Sequence, residues 1–255
     1  MKILAIGDIT SPAGVKHLCD KLWGVRRQFG IDLCIVNGEN ASVVTGIGEE
    51  GADMLLRSGA DVITGGNHTL QNYRAYTALE EREELLRPIN YGDSVIGHGY
   101  TVVDTGAYRV LVINAMGNIH IEPVLDSPYP YIDGLLSELS GKYDIAVLDI
   151  HAEATGEKLA VAYNYDGIIS VIFGTHTHVP TADARVLPGG TGYVTDLGMC
   201  GESDGILGMD PSLVIKKMKN HLPGRLKEAS GAPYADGVIF ELSGKLCTGI
   251  KRIKF

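Results

Sequence analysis

The 255-residue sequence has no apolar run long enough to cross a membrane, and its four cysteines form no close pair. An acidic residue, Asp8, interrupts the first apolar run, and no run reaches the ~18 residues of a transmembrane helix. The absence of a C-x-x-C pair argues against a zinc ribbon or a redox motif. We therefore expect a cytoplasmic protein without a signal peptide and without a membrane partner.

Basic charge is also scarce along the chain. Lys and Arg together number 22 against 31 Asp and Glu, which gives a net charge of −9. The densest basic run, residues 216–219, is short and favours a solvated helix face. Because a surface that binds duplex nucleic acid nonspecifically needs a basic stripe, we exclude that class of function. A small anionic substrate stays open, since a metal could supply positive charge locally.

Three familiar catalytic or cofactor motifs are absent or incomplete. No G-x-S-x-G elbow occurs, so a serine hydrolase has no support. Residues 46–51 match G-x-G-x-x-G, but they begin well after the preceding strand, and their two glutamates would repel a pyrophosphate. The segment His151-Ala-Glu153 matches the H-x-E of zinc deaminases, whereas the P-C-x-x-C half of that motif is missing.

Short apolar runs alternate with amphipathic stretches, and this pattern predicts an α/β fold with a mostly parallel sheet, interrupted by an antiparallel hairpin. No repeat, low-complexity tract or linker occurs, so we expect a single domain over residues 1–255. The predicted strands are 3–6, 33–36, 62–64, 100–104, 110–114, 145–150, 170–173, 184–187, 192–196, 236–242 and 246–253, and the predicted helices are 16–29, 49–57, 73–86, 132–139 and 153–162.

Polar clusters follow directly on five of the predicted strands. Parallel strands deliver such groups to the same edge of a sheet, which is where ligands bind in open α/β folds. Carboxylate, amide and imidazole donors together suit Zn, Mn, Fe or Ni better than Ca or Mg, and their number points to two ions about 3.5–4 Å apart. The clusters are Asp8, then Glu39 with Asn40, then Asn67 with His68, then His151, and finally His176 with His178.

Each cluster alone also has an ordinary structural interpretation. Asp8 could cap a helix, the segments 37–40 and 65–68 could be plain turns, and His151 could be a satisfied buried histidine. Two histidines on one face of an extended segment, as we expect for His176 and His178, are seldom required by packing. The position of all five clusters at strand ends therefore favours the metal site.

Seven segments of the chain together carry a family resemblance. They are IGDI (6–9), VNGENA (36–41), ITGGNHT (63–69), LRPINY (86–91), DIHAEATGEK (149–158), GTHTHVPTADARVLPGGTGYVTDLGMCG (174–201) and GIKRI (249–253). These segments run nearly end to end and resemble the YmdB-like metallophosphoesterases, a branch of the calcineurin-like superfamily. Ordinary calcineurin-like enzymes begin with D-x-H and use a bridging aspartate, where this sequence has Thr10 and Glu39, as is typical of the YmdB-like branch.

The resemblance implies a four-layer αββα sandwich of mixed sheets, a dinuclear metal site and activity on 2′,3′-cyclic nucleotides. By position, it implies that Asp8, Glu39, Asn40 and His178 hold one ion. It implies further that Glu39, Asn67, His151 and His176 hold the other, with Glu39 bridging. The two ions are expected to be iron or manganese, with zinc as an alternative. His68 is the candidate proton donor.

Ser11 and Gly156 depart from the family pattern, which has glycine and serine there; neither is a ligand, so they bear on substrate fit. We predict a metal-dependent phosphodiesterase acting on a small phosphoester, most simply a 2′,3′-cyclic nucleotide. The alternatives are a phosphomonoesterase or a 3′,5′-cyclic phosphodiesterase using the same site, or a metal-stabilised regulatory protein with vestigial activity. A homo-oligomer stays open.

Overall fold

The computed structural model describes residues 1–42 and 45–255, which form strands and helices in close alternation. The strands are β1 (Lys2–Ile6), β2 (Asp8–Ile9), β3 (Leu33–Asn37), β4 (Val62–Thr64), β5 (Tyr100–Asp104), β6 (Arg109–Met116), β7 (Ile145–His151), β8 (Val171–Thr175), β9 (Arg185–Val186), β10 (Gly192–Val194), β11 (Met199–Met209), β12 (Glu228–Ser243) and β13 (Leu246–Lys254). The α-helices are α1 (Pro12–Phe29), α2 (Glu49–Arg57), α3 (Tyr76–Glu81), α4 (Tyr129–Glu138), α5 (Thr155–Asn164) and α6 (Pro211–Asn220).

The strands form two mixed sheets. The first has the order β2-β11-β12-β1-β3-β4, with β13 paired to β12, and its strands β1, β3 and β4 are parallel. The second has the order β5-β6-β7-β8-β10-β9, in which β6, β7, β8 and β10 are parallel and both edge strands are antiparallel. The predicted hairpin of β5 and β6 is therefore confirmed.

Side chains alternate between two cores along each buried strand, as the period of a β-strand requires. In β1, Ile3 and Ala5 pack against residues of the second sheet such as Val147, whereas Leu4 and Ile6 pack beneath α1 and α2. A third core lies between the outer face of the second sheet and the helices α4 and α5. Two helical layers thus enclose two facing sheets, and the predicted αββα sandwich is confirmed.

The first helix begins earlier than the amphipathic pattern predicted. Ser11 caps it, because its Oγ accepts from the Gly14 backbone N–H at 3.1 Å, and Pro12 occupies the first turn. The same hydroxyl donates to the buried carboxylate Oε2 of Glu202 at 2.8 Å. The helix ends at Gly30, whose φ of 65° is in the left-handed region.

The predicted helix over residues 73–86 is wrong in its extent. Within that stretch α3 covers only Tyr76–Glu81, preceded by the 3₁₀ turn Tyr73–Ala75. The backbone at residues 84–86 instead bonds to Ile63, since Ile63 N–H donates to Glu84 O and Leu86 N–H donates to Ile63 O. Hydrogen bonds at the open edge of the first sheet thus replace the last helical turn.

None of the helices in the described ranges combines the length and the apolar character that crossing a bilayer requires. All four cysteines are free thiols, and Cys34 is a buried core residue.

Candidate metal centre

The eight residues singled out in the sequence come together where the carboxyl ends of both sheets meet. Asp8 opens β2, His151 ends β7, and the others lie in the loops after β3, β4 and β8. The site therefore draws on two parallel strands from each sheet and on the short strand β2. Asp8, Glu39, Asn67 and His151 are buried. The other four residues are partly exposed, and the His68 and His176 side chains are 29% and 23% exposed.

His151 lies at the centre of this group and is fully buried. Its Nε2 lies 3.0 Å from Asn67 Oδ1, 3.2 Å from His176 Nδ1 and 3.7 Å from Glu39 Oε1. Its Nδ1 lies 2.9 Å from the hydroxyl of Thr175.

The hydroxyl of Thr175 identifies the tautomer of His151. Thr175 Oγ1 donates its single proton to Asp149 Oδ1 at 2.8 Å, so it can only accept from His151. His151 Nδ1 therefore carries the proton, and Nε2 presents a lone pair to the cluster. This assignment follows from the hydrogen-bond partners. Neither Thr175 nor Asp149 was singled out in the sequence.

His176 presents a lone pair to the same point. Its Nε2 lies 3.2 Å from the carboxylate of Glu153, so we assign the single proton of the neutral ring to Nε2, which leaves Nδ1 unprotonated. Burial lowers the pKa of His176 and favours that neutral form. Lone pairs of His151 Nε2, His176 Nδ1 and Asn67 Oδ1 thus converge within hydrogen-bond distance with no proton among them. A cation between them would remove this repulsion.

Asp8 and His178 form the other side of the cluster. Asp8 Oδ1 lies 3.7 Å from His178 Nε2 and 3.8 Å from His151 Nδ1, and Asp8 Oδ2 accepts from the His176 backbone N–H at 3.0 Å. Among the described residues, Asp8 Oδ1, Glu39 Oε2 and His178 Nδ1 are buried without a hydrogen-bond partner. Unpartnered buried polar atoms of this kind are costly unless a ligand satisfies them.

His68 is held beside the cluster. Its Nδ1 donates to Asn40 Oδ1 at 2.8 Å and lies 3.2 Å from Glu39 Oε1, which also accepts from the His68 backbone N–H at 2.6 Å. Within residues 1–42 and 45–255, the other ring nitrogen, Nε2, has no hydrogen-bond partner. The ring is therefore oriented by one nitrogen while the second is available to a substrate.

Burial favours the neutral forms of five groups in the cluster, Asp8, Glu39, His151, His176 and His178. Burial, followed by repulsion from Asp196, raises the pKa of Asp8 well above its usual value, and burial also raises the pKa of Glu39. Burial lowers the pKa of His151 and brings that of His178 to about 4. The neutral imidazoles of His151 and His178 therefore give the carboxyls no positive partner. A bound cation would supply one.

These residues fit a metal. Counting only His, Cys, Asp and Glu, no three side chains in the described part of the chain form a ready-made metal-binding group. The amide oxygens of Asn40 and Asn67 extend the set, and the oxygen and nitrogen donors are those that first-row transition metals accept. The converging lone pairs and the unpartnered buried atoms are what such ions would satisfy.

The loop after β8 is not extended, contrary to the expectation for His176 and His178. Their φ angles are 102° and 63°, in the left-handed region that non-glycine residues rarely adopt. Both side chains nevertheless reach the cluster. Backbone strain of this kind persists only where the surroundings impose it, and it is common at functional sites.

A buried ion pair holds this loop. Lys158 and Asp196 are fully buried, and Lys158 Nζ donates to Asp196 Oδ2 at 2.8 Å and to Thr175 O at 2.7 Å. Asp196 Oδ2 also accepts from the Thr177 backbone N–H at 3.1 Å. The pair was not predicted as part of the site, although both residues lie in segments that carry the family resemblance.

Gly66 shows why the loop after β4 needs glycine. A Cβ at this position would lie 2.3 Å from His151 Nε2, a distance that real Cβ atoms do not tolerate. The backbone of the loop thus packs directly against the imidazole ring and leaves Asn67 free to face it.

The two departures from the family pattern lie outside the cluster. Ser11 is the cap of α1, already engaged with Gly14 and Glu202. Gly156 lies on α5, where a Cβ would meet no atom within 4 Å, so a serine would fit there without rearrangement.

Comparison with known proteins gives matches over the whole chain. A family model described as YmdB-like protein matches residues 4–253. The 2′,3′-cyclic-nucleotide 2′-phosphodiesterase of Bacillus subtilis (strain 168) is 38% identical over 251 residues, 98% of this chain and 95% of that protein. A crystal structure of a hypothetical protein from Thermus thermophilus, 34% identical, has a TM-score of 0.93 over 100% of this chain and 99% of its own. A novel phosphatase of Mycoplasma pneumoniae, 28% identical, has a TM-score of 0.92 over 100% and 93%.

Proposed function

The chain belongs to the YmdB-like protein family, and we propose that it is a metal-dependent phosphodiesterase whose substrates are 2′,3′-cyclic nucleotides. The name of the Bacillus subtilis relative supports this substrate class. The observation that carries the proposal is the convergence of lone pairs from His151, His176 and Asn67 beside two buried carboxyls. Such a cluster destabilises the folded protein when no metal is bound, whereas in a metal site its lone pairs and carboxyls would bind the ion.

Two ions, iron or manganese with zinc as the alternative, would be held in two groups that share Glu39. Asp8, Asn40 and His178 would complete one group, and Asn67, His151 and His176 the other. When bound, two such ions lower the pKa of a water molecule and neutralise charge on the phosphoryl oxygens.

His68 acts as the general acid in this proposal. The oxygen of a water molecule bonds to phosphorus, the bond from phosphorus to the ribose O2′ breaks, and O2′ takes a proton from His68 Nε2. The water proton leaves to solvent, from which His68 is reprotonated, and the product is a 3′-phosphate. Because Nδ1 is held by Asn40 and Glu39, the ring presents Nε2 in one orientation. Asn40 would also stabilise charge on the phosphoryl oxygens of the bound substrate.

A His68→Gln variant tests this function on one metal-loaded preparation. Positioned acids contribute about 10²–10⁴-fold when the leaving group is poor, as a ribose alkoxide is. We expect the variant to retain its metals and lose most turnover of 2′,3′-cyclic nucleotides, but to lose far less on bis-nitrophenyl phosphate, whose leaving group needs no proton. Measuring both substrates on the same sample cancels differences in metal content.

His98→Gln is the matched control, because His98 is partly exposed and does not contact the cluster. Equal losses of His68→Gln on both substrates would show that His68 positions phosphate, and loss of a metal would show that it is a ligand. A panel that also contains phosphomonoesters and 3′,5′-cyclic nucleotides tests the alternative activities. Absence of turnover of the whole panel with two metals bound would support the regulatory alternative.

A further inference from the structure

A cavity of about 520 Å³ adjoins the candidate metal centre. Asn40 and Thr10 form the wall nearest to the centre, and Thr10 lies only two residues beyond Asp8. The lining also includes the segment between α6 and β12, which contributes Arg225 and Lys227. The volume is within the range of about 300–1,000 Å³ that small-molecule sites occupy.

This cavity has a local excess of positive charge in a chain whose net charge is −9. Arg225 and Lys227 are exposed, and within residues 1–42 and 45–255 neither has a carboxylate within ion-pair distance. Glu228 also lines the cavity, and Asp210 is close enough for Lys227 to lower its pKa slightly. The lining itself therefore carries two cations and one carboxylate, and Asp210 lies beside Lys227 outside the lining.

A 2′,3′-cyclic mononucleotide would leave these two cations without a partner. It has one phosphate, and the metal centre would hold that group. A second phosphate on the substrate would be one nucleoside away from the first and could lie in the cavity beyond Asn40. Arg and Lys are the side chains that contact phosphates, and Arg does so with two parallel hydrogen bonds.

We propose that the cavity beside Asn40 binds a second phosphate through Arg225 and Lys227, so that the substrate is the 2′,3′-cyclic phosphate end of an RNA oligonucleotide. The inference rests on the proposed function and names the substrate class of the same site. The second phosphate is the diester that precedes the terminal nucleoside. Such ends form when a ribose 2′-hydroxyl attacks the adjacent phosphodiester and displaces the 5′-oxygen. RNA cleavage by transesterification is therefore the class of reaction that supplies this substrate.

Three substrates distinguish the sources of the second phosphate. They are adenosine 2′,3′-cyclic phosphate, the same nucleotide with a 5′-monophosphate, and the dinucleotide ApA ending in a 2′,3′-cyclic phosphate. We expect wild-type kcat/KM to be highest for the dinucleotide. In the double variant Arg225→Gln/Lys227→Gln, kcat/KM for the dinucleotide should fall roughly tenfold or more, since hydrogen bonds between charged groups are lost. The mononucleotide without a 5′-phosphate should change less than about twofold.

The double variant Lys216→Gln/Lys217→Gln is the matched control. It removes the same charge from exposed positions on α6 that line the neighbouring groove. Arg225 lines that groove as well, but neither lysine lines the cavity beside Asn40. It should leave the preference for the dinucleotide intact, which excludes an effect of net charge alone.

Equal wild-type kcat/KM for all three substrates, or equal losses in the two double variants, would overturn the proposal. A gain with the 5′-phosphorylated mononucleotide as large as that with the dinucleotide would overturn the assignment to RNA ends. Failure of the metal-loaded wild type to hydrolyse any of the three would instead contradict the proposed function itself.

Discussion

The hydroxyl of Thr175 fixes which nitrogen of His151 faces the candidate metal centre, and this can be tested by removing it. In Thr175→Val, His151 Nδ1 loses its acceptor, so the preference for the Nδ1–H tautomer should disappear. Losing an outer partner of a ligating histidine typically weakens metal affinity about 10–100-fold. Nitrogen-15 NMR of the metal-free protein would report the tautomer, and metal titration calorimetry would report the affinity.

Thr64→Val controls for the loss of a buried hydroxyl. Thr64 is also fully buried and donates to the same carboxylate, Asp149, but it does not contact His151. Both variants should lose a similar amount of stability, whereas only Thr175→Val should change the tautomer and the affinity. Thr175→Ser should restore both. Identical NMR spectra of His151 in the two valine variants would contradict the assignment.

The eight candidate residues were predictable because each follows a predicted strand at the same edge of a sheet. Thr175 and Asp149 were not, since Asp149 lies inside β7, and Thr175, the last residue of β8, carries a hydroxyl that does not by itself indicate a metal site. Their roles depend on the register of β7 against β8, which places His151 opposite Thr175. A pairing between strands distant in sequence is not visible in either segment alone. The left-handed backbone at His176 and His178 was missed for a similar reason, because contacts from elsewhere in the chain hold it.

At the scale of elements, the pair of Lys158 on α5 and Asp196 after β10 should contribute strongly to stability. In Lys158→Met the buried Asp196 carboxylate loses its cation, and breaking a buried pair in this way costs about 3–5 kcal/mol. The double variant Lys158→Met/Asp196→Asn should recover part of that loss, since it removes the uncompensated charge. Urea denaturation would measure the free energy of unfolding of each variant.

Arg109→Met provides the comparison, because it breaks an exposed pair. Arg109 at the start of β6 binds both carboxylate oxygens of Asp144 and lowers the pKa of Asp144 to about 2. Solvent screens such pairs, so this variant should lose far less stability than Lys158→Met. The contribution of the exposed pair is present above the usual pKa of an aspartate and should decrease as pH falls towards 2. A loss in Arg109→Met equal to that in Lys158→Met would show that burial of the pair is unimportant.

The elements that were predicted well are those whose apolar pattern is local. The predicted α2 and β4 agree with the structure at both ends, because amphipathic spacing and a short apolar run define them. The strand β11 was not predicted, since its sequence contains three glycines and three acidic or hydroxyl side chains in succession. It pairs with β12 through two register shifts, so its partner rather than its own sequence makes it a strand.

At the scale of the whole molecule, the fold places two buried carboxyl groups where the two sheets meet. Strand-end placement predicted a shared edge, but it could not show that β1, β3 and β4 belong to one sheet and β7 and β8 to another. Facing the two sheets across one core brings their carboxyl ends together. Asp8 and Glu39 thereby become almost inaccessible to solvent, and the free energy of burying them opposes folding.

Glu39→Gln should therefore have opposite effects on stability with and without metal. In the metal-free protein, burial raises the pKa of the Glu39 carboxyl because its charged form is disfavoured, so a neutral amide should leave the protein as stable or more stable. With metal, a ligand that binds only the folded state stabilises it by about 2.7 kcal/mol at 100 times its Kd. Since Glu39 is proposed to contact both ions, the variant should lose most of that gain. Thermal unfolding in EDTA and in saturating Mn²⁺ would measure both effects, with Glu80→Gln on the exposed face of α3 as the matched control. A variant that was less stable in EDTA and gained as much from Mn²⁺ as the wild type would show that Glu39 is a structural turn residue.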